Sequence, residues 1–110
     1  MKEIYELTSM EQVEEFLQNH KLSFLYVSRP ECSVCHAILP KLGELLDDYP
    51  PIFLGHIDAN QVPEVAGRFL VFSVPTMLMF IDQKEYLRED RFIRFVEFKE
   101  KLDLLAENLL

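Results

Sequence analysis

The chain has 110 residues, 49% of them hydrophobic and 27% charged, with a formal net charge of -8. That length suits one domain over residues 1–110 and is too short for two independent cores. The acidic balance disfavours nucleic acid and anionic membrane as partners, since either would be repelled on average.

At the N-terminus, MKEIYELTSMEQVEEF has acidic residues where an export signal would have its apolar core, and no apolar run reaches the length of a bilayer span. A cytoplasmic location is therefore expected. After a short opening strand, Ser9 precedes MEQVEEFLQNH with Gln12 three residues on, the form of a capping box. It predicts a helix from about Met10 to Asn19, with Val13, Phe16 and Leu17 facing inward. LSFLYVS, Leu22 to Ser28, is a nearly continuous apolar run and predicts a central strand buried on both faces. Beyond Pro30, the residues Ala37, Ile38, Leu39, Leu42, Leu45 and Leu46 recur at helical spacing. They predict a helix from Cys32 to about Asp48, kinked by Pro40. PIFLGHID reads as a further strand, QVPEVAGRF as a short helix and TMLMFI as another apolar strand. Asp82-Gln83-Lys84 makes a tight turn into EYLREDRFIRF, a half-exposed edge strand in which charges interleave with Tyr86, Leu87, Phe92, Ile93 and Phe95. A last amphipathic helix, from about Val96 to Leu109, aligns Phe98, Leu102, Leu105 and Leu109 on one stripe. This order implies a sheet layered between helices, parallel among its early strands and antiparallel across the turn at Asp82.

The chemistry-bearing stretch is RPECSVCHAILPKL, which holds both cysteines of the chain. Cys32 and Cys35 are spaced C-x-x-C with His36 directly behind, a wording shared by thiol-disulfide pairs, covalent haem sites and half of a zinc site. Two cysteines this close in a reducing compartment point to redox, sensing or metal chemistry rather than to a structural staple. Haem would need both cysteines to face one vinyl-bearing surface, with Met77 or Met79 as second axial ligand. That fits poorly with a helix running at once into an apolar stripe. Zinc would need two more ligands from His20, His36 and His56, or a second copy of the chain. A strand leading straight into C-x-x-C at a helix start favours the thiol pair. There the unpaired N–H groups and the positive dipole end stabilise a thiolate on Cys32, lowering its pKa below the free value of roughly 8.5. Cys35, one turn later on the same face, is positioned to attack a mixed disulfide on Cys32 and release the product. Cys32 is thus the candidate attacking thiol and Cys35 the resolving one, expected to be the more buried.

With Pro40 at a fixed offset behind the cysteines and the block HIDANQVPEVAGRFLVFSVPTMLMF downstream, the sequence resembles the thioredoxin family over nearly its whole length. Asp58, Asn60, Ala66, Phe69, Val71, Ser73, Val74, Pro75, Thr76 and Phe80 fall on the family's pattern. The resemblance implies an α/β thioredoxin fold, a mixed central β-sheet flanked by helices on both faces. It implies thiol-disulfide oxidoreduction by the Cys32/Cys35 dithiol, acting on protein disulfides or mixed disulfides with small thiols, without a cofactor. A cis Val74-Pro75 peptide bond facing the cysteines is implied as well, with Val74 pairing to an extended substrate segment and Pro75 keeping metal from the thiols. The implied partners are disulfide-bearing proteins and an electron donor such as a flavin-dependent thioredoxin reductase or a small thiol, with the chain acting as a monomer.

Three departures stand beside these matches. Thioredoxins carry a Trp before the first cysteine and usually Gly-Pro between the two, where this chain has Glu31 and Ser33-Val34. Where the family buries an aspartate to take the proton of the resolving cysteine, Tyr26 stands here; a phenol of ordinary pKa about 10 is a poor base at neutral pH. Glu31 disfavours a thiolate on Cys32, whereas a protonated His36 would favour it. Weak coupling to the usual reductase is expected. The departures also support a second reading, a thioredoxin-fold binding or redox-sensing module with little reductase turnover.

Overall fold

In the computed structural model, which describes residues 2–109, the elements follow as β1 (Ile4–Leu7), α1 (Met10–Asn19), β2 (Leu22–Ser28), α2 (Ser33–Leu46), β3 (Phe53–Asp58), α3 (Val65–Phe69), β4 (Thr76–Ile81), β5 (Lys84–Glu89) and α4 (Phe95–Leu109). Local chemistry sets the starts of these elements. Ser9 Oγ accepts the N–H of Gln12 at 3.1 Å, while Gln12 Oε1 accepts the N–H of Thr8 at 2.7 Å. The capping box of α1 is therefore closed with its return bond one residue upstream of the cap.

The five strands lie in the order β1-β3-β2-β4-β5. β1, β3 and β2 run parallel, as crossovers through α1 and α2 require. β4 is antiparallel to β2, with Thr76 opposite Val27 and Met77 opposite Tyr26. The sequence carries no clear sign of that pairing, because a helix intervenes between β3 and β4. Its cause is that the connection passes over β2 without running back along the sheet: β3 leaves at Asp58, level with Ser28, and β4 enters at Thr76, level with Val27. The loop before β4 is thereby held at the same end of the sheet as the start of α2.

Every residue of β2 is buried. Alternation along the strand explains the continuous apolar run, since the two faces of the sheet enter two different cores. Leu25 and Val27 pack with Val13, Phe16 and Leu17 of α1 and with Val65 and Phe69 of α3. Leu22, Phe24 and Tyr26 pack with Ile38, Leu42 and Leu46 of α2 and with Phe98 and Leu102 of α4. Met77 and Met79 of β4 belong to this second core as buried packing residues. Leu105 packs against the same core, and the side chain of Leu109 lies outside the described residues.

The edge strand is shorter than the sequence pattern predicts. β5 stops at Glu89, because Asp90 then builds a turn: its carboxylate accepts the N–H of Phe92 at 2.8 Å and its carbonyl that of Ile93 at 3.0 Å. Phe92 is left exposed and α4 begins at Phe95. Asp82 and Gln83 both have positive φ, 50° and 69°, as a two-residue hairpin loop between antiparallel strands demands. A register shift between Met79 and Phe80 leaves Tyr86 without a cross-strand partner, a bulge on the outer strand.

Two glycines give opposite expectations. A Cβ on Gly55, in β3, would lie 2.7 Å from Leu7 Cδ1, 3.1 Å from Phe16 Cε2 and 3.3 Å from Leu25 Cδ2. Gly55→Ala should therefore cost about 1–3 kcal/mol through overpacking. Gly43, inside α2, meets nothing within 4 Å, and Gly43→Ala should add about 0.5–1 kcal/mol by removing a flexible residue from a helix interior. Urea unfolding of both variants checks the pair, and shifts of the same sign would contradict this packing.

Candidate functional site

The end of β2 delivers the chain directly to the cysteines. Residues Arg29 to Cys32 form a turn closed by the Cys32 N–H on the Arg29 carbonyl at 3.1 Å. Cys32 is not the first helical residue but the N-cap of α2, with extended backbone, and its Sγ accepts the N–H of Cys35 at 3.2 Å. The sulfur thus takes the position in which a serine, threonine or aspartate oxygen usually satisfies an orphan amide. Negative charge on that sulfur would be favoured by the bond and by the positive end of the helix. Cys35, in the first turn, is 1% exposed, whereas Cys32 is half-buried. The two are joined as a disulfide, with their Cα atoms 5.3 Å apart.

Tyr26 lies beneath them, fully buried, and donates its hydroxyl to the Cys35 carbonyl at 2.6 Å. Burial pushes the phenol well above its ordinary range, so it stays protonated and acts as a donor. Behind the cysteines, His36 donates Nε2–H to the Pro30 carbonyl at 2.7 Å, tying the turn to the helix that follows it. Glu31 accepts from Asn60 Nδ2 through both carboxylate oxygens, at 3.2 and 3.0 Å, and Asn60 is itself fixed by its N–H on Asp58 Oδ1 at 2.8 Å.

Of the residues singled out from sequence, Cys32 and Val74 come together. They share a groove of about 330 Å³ with Arg29, Glu31, Ser33, Val34 and Arg91. The Val74-Pro75 peptide bond is cis, Pro75 is buried, and Thr76 steadies the loop by donating its hydroxyl to the Ser73 carbonyl at 2.7 Å. Arg91 Nη2 donates to the Val74 carbonyl at 3.3 Å. Cys35 lies behind the groove rather than in its wall.

The histidines are engaged elsewhere. His20 stacks on Phe53 with ring centres 3.9 Å apart. His56 bridges Ser28 Oγ at 2.6 Å and Glu6 Oε1 at 2.7 Å. Among the described residues no three His, Cys, Asp or Glu side chains gather as a metal-binding group. Sequence reasoning missed three features: the Asn60 clamp on Glu31, the Ser28–His56–Glu6 chain, and Arg91 in the groove wall. Only the Glu6–His56 contact of the second had a usable signal, since pairing β1 with β3 sets those two residues side by side.

Comparison with known proteins agrees with this geometry. The thioredoxin family model matches residues 3–103. The thioredoxin-like protein YdfQ of Bacillus subtilis (strain 168) is 55% identical over 102 residues, covering 93% of this chain and 91% of that one. Thioredoxin-2 of Pyricularia oryzae is 33% identical over 79 residues, 72% of this chain and 46% of that protein. The crystal structure of thioredoxin from Trypanosoma brucei brucei superposes with a TM-score of 0.84 at 17% identity, covering 96% of this chain and 93% of that chain, and so shares its fold. A Cys-capped helix following a doubly buried strand and a family match over nearly the whole chain lead to one conclusion: the protein belongs to the thioredoxin family.

Proposed function

We propose that the protein is a thiol-disulfide oxidoreductase in which Cys32 attacks substrate disulfides and Cys35 resolves the mixed disulfide. The observation that carries this reading is the cap: the Cys32 sulfur accepts the Cys35 N–H at the start of α2 and borders an open groove. In the reduced protein the Cys32 thiolate attacks one sulfur of the substrate, forming a mixed disulfide and expelling the first thiolate. The thiolate expelled in the first step, or solvent, takes the Cys35 proton, and the Cys35 thiolate then attacks Cys32 Sγ, expels the second substrate thiolate and closes the Cys32–Cys35 disulfide. Two electrons from a thioredoxin reductase or a small thiol restore the dithiol. Val74 and Pro75 are the substrate-binding residues of this reading, supported by the family pattern and by the groove that Val74 shares with Cys32. The chain acts as one domain in a reducing compartment such as the cytoplasm, on disulfide-bearing proteins.

One observation favours a second reading, a binding or redox-sensing module with little turnover: no carboxylate takes the place of Tyr26 under Cys35. Multiple turnovers of a disulfide with a dithiol donor support the oxidoreductase, and a single stoichiometric oxidation supports the sensor.

The order of attack is tested by trapping. Cys35→Ser should retain mixed disulfides with proteins of a cell extract, and Cys32→Ser few. Equal trapping by both would contradict the assigned roles.

The role of Tyr26 is tested separately. Tyr26→Phe removes a buried hydroxyl that donates to the Cys35 carbonyl, in the first turn of α2. The expected loss is about 0.5–1.5 kcal/mol of stability, with disulfide reduction changed less than about threefold. A loss of about 100-fold or more in the resolving step would mean that the phenol moves a proton after all.

A further inference from the structure

Charge around the groove bears on which disulfides enter it. The chain carries 19 Asp and Glu against 11 Lys and Arg, yet the groove wall holds Arg29 and Arg91 against Glu31 alone. The remaining arginines each pair with a glutamate: Arg68 with Glu14, Arg88 with Glu85 and Arg94 with Glu97. Among the described residues Arg29 and Arg91 have no carboxylate in ion-pair range. The two unpaired guanidinium groups are therefore the two beside Cys32.

Glu31 offsets one of these two positive charges and leaves the wall with a net positive charge. Both its oxygens are held by Asn60, which follows β3, whereas Arg91 follows β5. In the strand order β1-β3-β2-β4-β5 those loops flank the Cys32 turn from opposite sides. The negative charge is drawn toward β3, and the Val74 side of the groove is left to Arg91. Its exposed 3.3 Å bond to the Val74 carbonyl uses one of five guanidinium donors, so a bidentate pair of donors remains available to a carboxylate. The acidic remainder of the surface is screened beyond a Debye length of about 8 Å at physiological ionic strength, whereas a group in the groove meets the arginines directly.

We infer that Arg29 and Arg91 are specificity-determining residues that select disulfides carrying a carboxylate close to the sulfur. This rests on the oxidoreductase reading and adds its substrate class. The carboxylate orients the disulfide against Cys32 and takes no part in the exchange of electrons.

The test measures oxidation of the reduced protein by three small disulfides of similar size: dithiodipropionate, which is anionic, hydroxyethyl disulfide, which is neutral, and cystamine, which is cationic. A second arm uses disulfide-linked extended peptides that differ only in Glu or Lys next to the cysteine. Each rate is divided by that of free dithiothreitol with the same disulfide, which removes differences in leaving-group pKa. The native protein should prefer the anionic over the cationic member by about three- to tenfold. Arg29→Gln and Arg91→Gln should each reduce that ratio, and Arg91→Glu should invert it; matching thermal melts separate lost recognition from lost fold. A preference in both arms makes a carboxylate near the sulfur sufficient. A preference confined to the peptides assigns the group to an acidic protein segment, and one confined to the small disulfides to a carboxylate-bearing small thiol. All three results support the inference. Equal normalised rates in both arms, or a ratio unmoved by both single variants, would overturn it while the oxidoreductase reading stands. No oxidation by any disulfide, the neutral one included, would overturn both.

Discussion

The N–H of Cys35 donates to the sulfur of Cys32 at 3.2 Å, where a hydroxyl or carboxylate oxygen ordinarily closes a helix. Much of the remaining structure serves to hold that bond at one end of the sheet, past the central strand. β2 must be buried on both faces so that its end is fixed, and the Arg29–Cys32 turn must be closed so that the sulfur meets the helix start. The connection between β3 and β4 must remain at that end, or Val74 would not face Cys32. A capping group that is also a thiol ties stability to reactivity, because the amide that stabilises the helix start is the one that favours negative charge on the sulfur.

The floor of the site differs from what the family pattern implies. Tyr26 fills the volume beneath Cys35 with a ring and a satisfied hydroxyl instead of an acid, so no buried carboxylate has to be desolvated there. Polar groups further along the same face are satisfied in series. Ser28 is buried at the end of β2 and meets His56, which in turn meets the exposed Glu6. The sheet therefore carries polar side chains toward the site without leaving an unpartnered buried side-chain atom among the described residues. In the proposed reaction Tyr26 stands where the pattern puts a carboxylate to receive the Cys35 proton, which is the main physical difference between this site and the pattern it otherwise follows.

Legibility in the sequence divides along a clear line. Local signals read correctly: the Ser9 cap, the doubly buried Leu22–Ser28 run, the Asp82-Gln83 turn, and the spacing that sets Cys32 at a helix start. Signals overridden by a side-chain bond to the backbone or by contacts between distant segments did not. Phe92 and Ile93 look like alternating strand residues until the Asp90 side chain bonds the backbone and ends the strand. Glu31 reads as a charge opposed to the Cys32 thiolate, and only the fold brings Asn60, 29 residues away, to hold it. Arg91 reads as one charge in a mixed run, and only the sheet order brings it to Val74. The cysteines were found by their spacing; the groove around them could not be.

Activation of Cys32 by the helix cap is tested directly by the pH dependence of alkylation in the reduced protein. Iodoacetamide labelling followed residue by residue with mass spectrometry should find Cys32 reacting first, with an apparent pKa below the free-thiol value of roughly 8.5. Cys35, buried in the first turn of α2, should react only at higher pH. Labelling of Cys35 first, or indistinguishable profiles at or above the free-thiol value, would contradict the claim that the helix cap activates Cys32.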